Sequence, residues 1–507
     1  MANCALPDRV RFGDGTRPTE QTPEVSIRAS LLRRLLLNDI PSAHLHSKGL
    51  RLQGAWIDGV LDLQGSDLGS DVSLSSCSVR DGLNLVNAQM RGLYLSDVAS
   101  GGISADNARF AAALYFRGGT EVQGEISLAG ARIEGDLQLC GVTLNADQED
   151  AVFAPSLRVE GSIFLGDYPY NESELTLVAK GRLFFSSARV ANDLFVSRVS
   201  IGPSESGKGR AFFGAPIMDH ERVALSLARS KVEGILLLQN NQISGGMVNL
   251  SGAHVGRLKD EITSGDLPYL MRLDGFRYDA FSRRTDISLQ ARLPWLDSRP
   301  DGTPFVAQPY EQLADVLSKV GHRDDARTVL MTKEGLLRAE NRRLLVEAQG
   351  LGLRWLRAVL ADFSLKMMVG YGYRPARAAV LALVLVLALG AFFDRTWSKG
   401  DMTPNAAPIL ISKDWIAATK SHPDNPAEFW SAPGQAGQDW ETFNAYAYAA
   451  DLIIPLVSLG QESAWAPSTS RSNWGRAGWW LRWVAKFVGW IVTALGAAAL
   501  TGIIRQD

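Results

Sequence analysis

Cysteine and histidine are scarce in this chain of 507 residues, which contains three cysteines and six histidines. Cys4, Cys77 and Cys140 form no CxxC pair, so the sequence predicts neither a disulfide framework nor a zinc site. We expect Cys77 and Cys140 to be small buried side chains in a reducing compartment. Only His44 and His46 lie close together, and the other histidines are scattered. The sequence therefore predicts no bound metal.

An excess of charge of either sign is also missing. Lysine and arginine number 52 against 54 aspartates and glutamates, a formal net charge of −2. This balance gives no reason to expect nucleic acid as a partner. Residues 49–290 hold 22 basic and 29 acidic residues, too balanced for an acidic rod that mimics DNA. The first residues contain no apolar run typical of a secretory signal, so we expect the N-terminal part to be cytosolic.

Fingerprints of nucleotide and flavin binding are missing as well. No GxGxxG pattern follows a predicted strand and opens a helix. Residues 202–209 (GPSESGKG) approach a P-loop, but Gly209 stands where a serine or threonine would hold magnesium. We interpret this stretch as a surface loop. The residues themselves predict no cofactor and favour a non-catalytic protein, while the question of an enzyme stays open.

A repeat dominates what the sequence does contain. In residues 49–95, pairs of apolar residues one position apart recur at a step of about 11 residues. They are Leu50/Leu52, Leu61/Leu63, Val72/Leu74, Leu83/Leu85 and Leu93/Leu95. Both members of a pair lie on one face of a strand. A strand this short cannot bury its apolar face alone, so stacked copies predict a β-solenoid.

The repeat continues less regularly to about residue 293. Between pairs stands a lone isoleucine or valine, often followed by glycine, and we expect it to fill the coil interior. Residues 145–155 and 202–216 interrupt the pattern and are predicted to be loops. Thr22-Pro23-Glu24 predicts the start of a helix that runs to Asn38 and covers the first coil.

The period changes to that of a helix from Pro294 onward. Residues 308–320 and 324–343 predict a helical hairpin, broken at Gly321 and His322. Residues 351–368 predict a basic amphipathic helix that lies along a membrane surface. We therefore divide the chain into a capping segment (1–48), a solenoid (49–293), a hairpin with juxtamembrane helix (294–375) and a membrane module (376–507).

Two apolar runs, residues 378–393 and 483–504, predict two membrane spans. Basic residues before the first span place the N-terminal side in the cytosol, and hence the protein in the inner (plasma) membrane. The motif that leads into the first span is a predicted turn, formed by Gly370, Tyr371, Gly372, Tyr373, Arg374 and Pro375. On the last span, Ala494, Ala498 and Gly502 form a small-residue face that predicts a homo-oligomer.

Residues 445–459 are apolar but too short to span, and they contain a charge. Two interpretations stay open, an interfacial anchor or a re-entrant segment that lines a pore. The order of span, short helix, loop and span is similar to that of two-span pore-loop channels. The residues in the pore-like place are Asp451, Pro455, Ser458, Leu459 and Gly460.

The repeats resemble right-handed β-solenoids of the pentapeptide-repeat type, although the A-[DN]-L-x-x unit is not kept. Four stretches resemble bacterial proteins that join such a solenoid to a two-span membrane module. They are LRLQGAWIDGVLDL (50–63), PYEQLADVLSKVGHRDDARTVL (309–330), GYGYRPARA (370–378) and PLVSLGQ (455–461). Such proteins are often labelled membrane-associated oxidoreductases, so the resemblance implies that activity as one alternative.

Together these observations predict a mainly β protein in which a solenoid, capped by a helix and a helical hairpin, is anchored by transmembrane helices. The expected role is an interaction or sensing platform, whose partners are the lipid bilayer and a protein or small ligand bound to the solenoid. An oligomeric channel gated by the solenoid is the second expectation.

Overall fold

The structure, a computed structural model, describes residues 4–5, 8–41, 43–170, 174–203, 222–244, 246–263, 267–298 and 303–501. The chain divides into two compact units, Met1–Val329 and Leu330–Asp507. The predicted P-loop-like stretch after residue 203 and Gly502 of the small-residue face lie outside the described residues.

The first unit is built from short strands. Those in its described part are, in chain order, β1 (Cys4–Ala5), β2 (Val10–Arg11), β3 (Ser26–Arg28), β4 (Ala43–His44), β5 (Leu50–Gln53), β6 (Trp56–Asp58), β7 (Leu61–Asp62), β8 (Asp67–Ser75), β9 (Ser78–Val79), β10 (Leu83–Asn84), β11 (Gln89–Ser96), β12 (Ala99–Ser100), β13 (Ile103–Ser104), β14 (Arg109–Phe110), β15 (Leu114–Arg117), β16 (Thr120–Gln123), β17 (Ile126–Ser127), β18 (Arg132–Ile133), β19 (Leu137–Cys140), β20 (Val142–Phe153), β21 (Arg158–Val159), β22 (Ile163–Gly166), β23 (Leu177–Phe184), β24 (Arg189–Val190), β25 (Leu194–Ser197), β26 (Val199–Gly202), β27 (Val223–Ser226), β28 (Lys231–Gln239), β29 (Gln242–Ile243), β30 (Met247–Asn249), β31 (His254–Asp260), β32 (Met271–Arg272) and β33 (Arg277–Phe281).

Helices make up most of the rest of the described chain. They are α1 (Ala29–Leu36), α2 (Leu289–Leu296), α3 (Gln308–Lys319), α4 (Arg323–Gln349), α5 (Leu353–Val369), α6 (Ala376–Ser398), α7 (Ala407–Leu410), α8 (Lys413–Ser421), α9 (Pro426–Trp430), α10 (Ala445–Ile453), α11 (Gln461–Ala464) and α12 (Asn473–Leu500). A 3₁₀ turn occupies Gly370–Gly372, and β34 (Met402–Pro404) pairs antiparallel with β35 (Trp465–Pro467).

Two large parallel sheets, of sixteen and fifteen described strands, form the first unit. Their register follows the predicted repeat, because Leu50 pairs with Val72, Val72 with Leu93, and Leu93 with Leu114. The chain thus returns to the same ladder after about 22 residues. The predictions of a parallel β-domain consistent with a solenoid, and of a helical region after it, are confirmed.

The apolar residues of the repeat point into the coils. Leu50 and Leu52, a predicted pair, are both buried, and so are the lone residues Ile57 and Val79. Ile57 and Val79 share one ladder, which is separate from that of the Leu50/Leu52 pair, since β6 pairs with β9 and β9 with β12. Apolar side chains from both ladders therefore fill most of the coil interior, and Ser100, which follows Val79 in its ladder, is buried there as well.

Two local predictions are wrong. The first helix does not begin near Pro23: Ser26–Arg28 is strand β3, in which Ile27 pairs with Ile57, and helix α1 begins at Ala29. Pairing this segment with the edge of the first coil satisfies backbone groups that a helix would leave exposed at that edge. Helix α1 still packs on the first coil, where Arg33 Nε donates to the carbonyl oxygen of Asp62 at 2.9 Å.

The predicted loop at residues 145–155 is a strand over most of its length. Strand β20 runs without interruption from Val142 to Phe153 and pairs with β23, with register shifts between Asn145 and Val152. The extra residues are accommodated as irregularities of an extended backbone. Asp150 and Arg182 form a buried ion pair at this irregularity, with Nε and Oδ1 2.7 Å apart.

Helices α2 and α3 lie at the C-terminal end of the strand array within the first unit. Arg292 of α2 is fully buried and donates two hydrogen bonds of 2.8 Å to the carboxylate of Asp260. The side-chain amide of Gln312 on α3 donates to the carbonyl oxygen of Tyr278 at 2.7 Å. These contacts satisfy polar groups at the last strands, which would otherwise present an open edge.

In the second unit, α6 and α12 are long and apolar enough to cross a membrane by length and composition. Their most apolar windows have mean hydropathies of 2.4 and 1.6, and only 22% of each window is buried. Helix α6 extends beyond the predicted run at both ends, and α12 extends beyond its predicted run at the N-terminal end, because it begins at Asn473, where the Ser472 hydroxyl caps it.

Candidate functional site

The Gly370–Pro375 motif forms a tight turn between α5 and α6. Gly370, Tyr371 and Gly372 all adopt left-handed backbone angles, and Tyr371 is the residue among them for which this conformation is strained. The Tyr371 hydroxyl donates to Asp362 at 2.9 Å, and Asp362 also pairs with Arg342. Burial, followed by the hydrogen bond to Asp362, raises the pKa of Tyr371 to about 12. The turn is therefore held by side-chain contacts as well as by glycine.

Helix α5 presents an apolar stripe to the outside of the unit. Its members recur at helical spacing and are all exposed: Leu353, Leu356, Leu360, Phe363 and Met367. Exposed cations, Arg354, Arg357 and Lys366, lie on the same helix. The opposite face packs against α6 and α12, through Leu365, Met368 and Val369. Such a helix suits a boundary between water and an apolar phase.

Helix α10 packs between α6 and α12 and is followed by a loop that turns the chain back. A Cβ atom at Gly390 of α6 would meet the ring of Tyr446, and one at Gly489 of α12 would lie 2.6 Å from the carbonyl oxygen of Leu452. Glycine is thus required at both close approaches. The loop then exposes Leu456, Val457 and Leu459.

Of the pore-like residues, Asp451 has the most defined environment. It is buried at the end of α10, and its two carboxylate oxygens accept from the backbone N–H groups of Leu459 (2.5 Å) and Glu462 (3.1 Å). Pro455 is half-buried, and Ser458 and Leu459 are exposed. Gly460 adopts a left-handed conformation at the start of α11. The carboxylate therefore holds the loop in place by satisfying its backbone donors.

A charged cluster stands beside this loop. Glu462 pairs with Arg482 and Lys486 of α12, and the Lys486 Nζ atom lies 2.5 Å from its Oε1. Burial alone would raise the pKa of Glu462, but hydrogen bonds from Arg482 and Lys486 hold it below its ordinary value. A cavity of about 350 Å³ opens here. Its lining is Asn405, Asp451, Leu452, Pro455, Val457, Ser458, Glu462, Ser463, Lys486 and Trp490.

Two faces of α12 carry small residues. Ala494 is exposed and Ala498 is half-buried, so the rest of the chain covers the described part of the predicted packing face only in part. The face that packs within the chain is a different one, in which Gly478 meets Phe392, Gly489 meets α10 and Gly496 meets Ala378. Sequence reasoning missed this face, although the glycines and alanines at 475, 478, 485, 489, 496 and 499 follow a helical spacing.

Thiols and histidines form no reactive cluster in the described part of the chain. Cys77 and Cys140 are buried and unbridged, and burial raises the pKa of their thiols to about 11 and about 12 respectively. His46 accepts from the backbone N–H of Lys48 and faces Asp8. Among the described residues, no group of histidine, cysteine or acidic side chains is arranged to hold a metal ion.

The sequence reading also missed seven basic side chains stacked on the outer face of the first unit, which we term the basic row. It consists of Arg109, Arg132, Arg158, Arg189, Lys231, His254 and Arg277, and each pairs in register with the next across parallel strands. The pattern in the sequence that indicates this row is a basic residue directly before each lone branched or aromatic residue. Uneven spacing along the chain hid the alignment.

Comparison of the chain with protein-family models, with curated proteins and with solved structures finds no match.

Proposed function

We propose that this protein is a membrane-anchored β-solenoid that serves as an interaction or sensing platform. Helices α6 and α12 span the inner membrane, and α5 lies along its cytosolic surface. The strand domain is a right-handed, pentapeptide-like solenoid on the cytosolic side, capped by α1 and by the hairpin of α3 and α4. The membrane module assembles into a homo-oligomer through the Ala494, Ala498 and Gly502 face.

The observation that carries this proposal is the distribution of exposed apolar side chains in the second unit. Large apolar side chains are exposed along α5, α6 and α12 and at the loop after α10, including Val380, Leu383, Phe487 and Trp490. A surface of this extent is unfavourable in water and marks a membrane or protein contact. Tryptophans on α12, such as Trp480 and Trp483, are typical of the interface between lipid and water.

Alkaline extraction of membranes from cells that express the full chain tests the anchoring. We expect the protein to stay in the membrane pellet and to require detergent for release. A matched variant with Leu383→Arg and Leu387→Arg should be lost from the pellet or degraded, because charges at the centre of a span oppose insertion. Release of the unaltered protein by alkali would contradict the proposal.

An absorbance scan of the purified full chain separates the platform from the oxidoreductase that the sequence resemblance implies. We expect no flavin or haem band. A cofactor bound at one per chain would overturn the non-catalytic role and leave the anchoring intact.

An oligomeric channel is the second candidate, supported by the position of α10 between α6 and α12 and by the return of its loop toward α12. Two spans from one chain cannot enclose a pore, so several subunits would surround it. Single-channel recording from the reconstituted protein tests this function. Conductance whose ion preference shifts with Lys486→Gln or Asp451→Asn would favour the channel, and a silent, correctly inserted oligomer would favour the anchor.

A further inference from the structure

The basic row places like charges directly opposite one another in successive coils. Parallel strands are about 4.8 Å apart, so neighbouring guanidinium groups on the row repel. Arg109, Arg132, Arg158 and Arg189 are exposed, and none of the four forms an ion pair with another described residue. Ion pairs between described residues occur at the far end, where Lys231 pairs with Glu233 and His254 with Asp279. Four coils in sequence thus present a line of arginines that form no ion pair within the described part of the chain.

The surroundings of the row restrict the width of any anion that it binds. On one side the chain turns through left-handed residues at each coil, Asn107, Gly130, Ser156 and Ser187. On the other side Glu134 and Glu160 stand two positions beyond Arg132 and Arg158 and are exposed. A broad anionic surface, such as a bilayer or a nucleic acid duplex, would also meet these carboxylates. A single extended chain can lie on the arginines alone.

The charge of the whole strand region favours a peptide over a nucleic acid. Residues 49–290 hold 22 basic and 29 acidic residues, so the region lacks the broad positive field that draws nucleic acids. Arginine binds carboxylates through a planar fork, which gives close and oriented contacts even where the long-range field is weak.

From these observations we infer that the basic row binds an extended acidic segment of a partner protein. The segment runs along the stack and places its carboxylates on Arg109, Arg132, Arg158 and Arg189. Gln89 pairs with Arg109 and continues the line by one coil. A cavity of about 480 Å³ opens there, and its lining holds Arg91 and Arg109 together with Asp67 and Glu134, so it offers the end of the segment no excess of positive charge.

This inference rests on the platform function proposed above and names the face and the class of partner. The test is fluorescence anisotropy of the full chain in detergent micelles, with a labelled peptide of alternating glutamate and serine as the probe. The glutamine counterpart of the peptide is the control ligand. Because the protein is already in detergent, a failure to bind is distinct from a failure of membrane anchoring.

The informative variant is the triple change Arg132→Gln, Arg158→Gln and Arg189→Gln. Its matched control is Arg80→Gln, Arg283→Gln and Arg284→Gln, which removes the same charge from exposed positions off the row. We expect the triple row variant to bind the acidic peptide at least about tenfold more weakly, the control to bind as the unaltered protein does, and added salt to weaken binding.

Equal binding by the row variant and the control, or no binding of the acidic peptide at low salt, would overturn the inference. Single-stranded RNA, polyphosphate and vesicles with anionic lipid serve as competing probes in the same assay. If one of them binds through the row and the acidic peptide does not, the partner class is wrong. Circular dichroism of each variant ensures that lost binding is not lost folding.

Discussion

The carboxylate of Asp451 accepts the backbone N–H of Leu459 at 2.5 Å, across the loop that follows α10. Its second oxygen accepts the N–H of Glu462 at 3.1 Å. One buried acid therefore joins the end of α10 to the start of α11 and sets the path by which the chain returns.

Asp451→Asn should destabilise the helical unit, because an amide offers only one acceptor to two buried donors. We expect a loss of about 1–3 kcal/mol in the free energy of unfolding. Thermal unfolding in detergent, followed by tryptophan fluorescence, measures it. Asp439→Asn, at an exposed acid in the same unit, is the control and should change little. Equal stability of both variants would show that these hydrogen bonds do not hold the loop.

Gly489→Ala should separate α10 from α12. The new methyl group would lie 2.6 Å from the carbonyl oxygen of Leu452 and 2.7 Å from the Cα atom of Ile453. Overpacking against backbone atoms costs about 1–3 kcal/mol. Gly496→Ala on the same helix is the matched control, since its nearest neighbour, the Cβ of Ala378, is 3.3 Å away. In detergent, Gly489→Ala should unfold at a lower temperature than Gly496→Ala. A higher unfolding temperature for Gly489→Ala would contradict this packing.

Asp260→Asn should be among the most damaging changes in the strand unit. It leaves Arg292, whose side chain is 0% exposed, without its counter-charge, at a cost of about 3–5 kcal/mol. Replacing both partners, by Asp260→Leu with Arg292→Met, should recover much of that loss because no buried charge remains. Urea unfolding, monitored by circular dichroism, distinguishes the single variant from the double variant. Asp274→Asn, at an exposed position, is the control. A double variant no more stable than the single one would refute the argument.

Cys77 and Cys140 should resist thiol reagents in the folded protein. Burial raises their pKa values to about 11 and about 12, so the reactive thiolate is scarce at pH 8 and increases only as the pH approaches those values. Mass mapping after maleimide treatment should find both unlabelled until denaturant is added. Cys77→Ser and Cys140→Ser identify the two sites. Rapid labelling of either site at pH 8 would show that its coil is open.

Much of the fold could be predicted because it depends on local periodicity. The two-residue alternation of Leu50 and Leu52 and the three-and-four spacing along α3 each report which face is buried. Residues 145–155 misled the prediction, since a break in the apolar repeat is typical of a loop, whereas Asn145, Asp150 and Val152 pair with β23. Pairing between distant segments decided their structure.

The candidate sites were harder to predict, because they depend on contacts between distant parts of the chain. Asp451 could be identified as an acid in an apolar segment, but its two backbone partners could not. The helical spacing of small residues on α12 marks a packing face, but it does not show that α10 is the partner that approaches Gly489. The alignment of Arg132 with Arg158 appears only when strands β18 and β21 are stacked.

Cysteine labelling from one side of the membrane tests the central claim, which is that two membrane spans anchor the strand domain on the cytosolic face. Ser318→Cys on α3 and Ser421→Cys on α8 are exposed reporters, each introduced into the full chain with Cys4→Ser. An impermeant maleimide added to intact spheroplasts should label Ser421→Cys at once and Ser318→Cys only after lysis. Labelling of Ser318→Cys in intact spheroplasts, or protection of Ser421→Cys until lysis, would contradict the account.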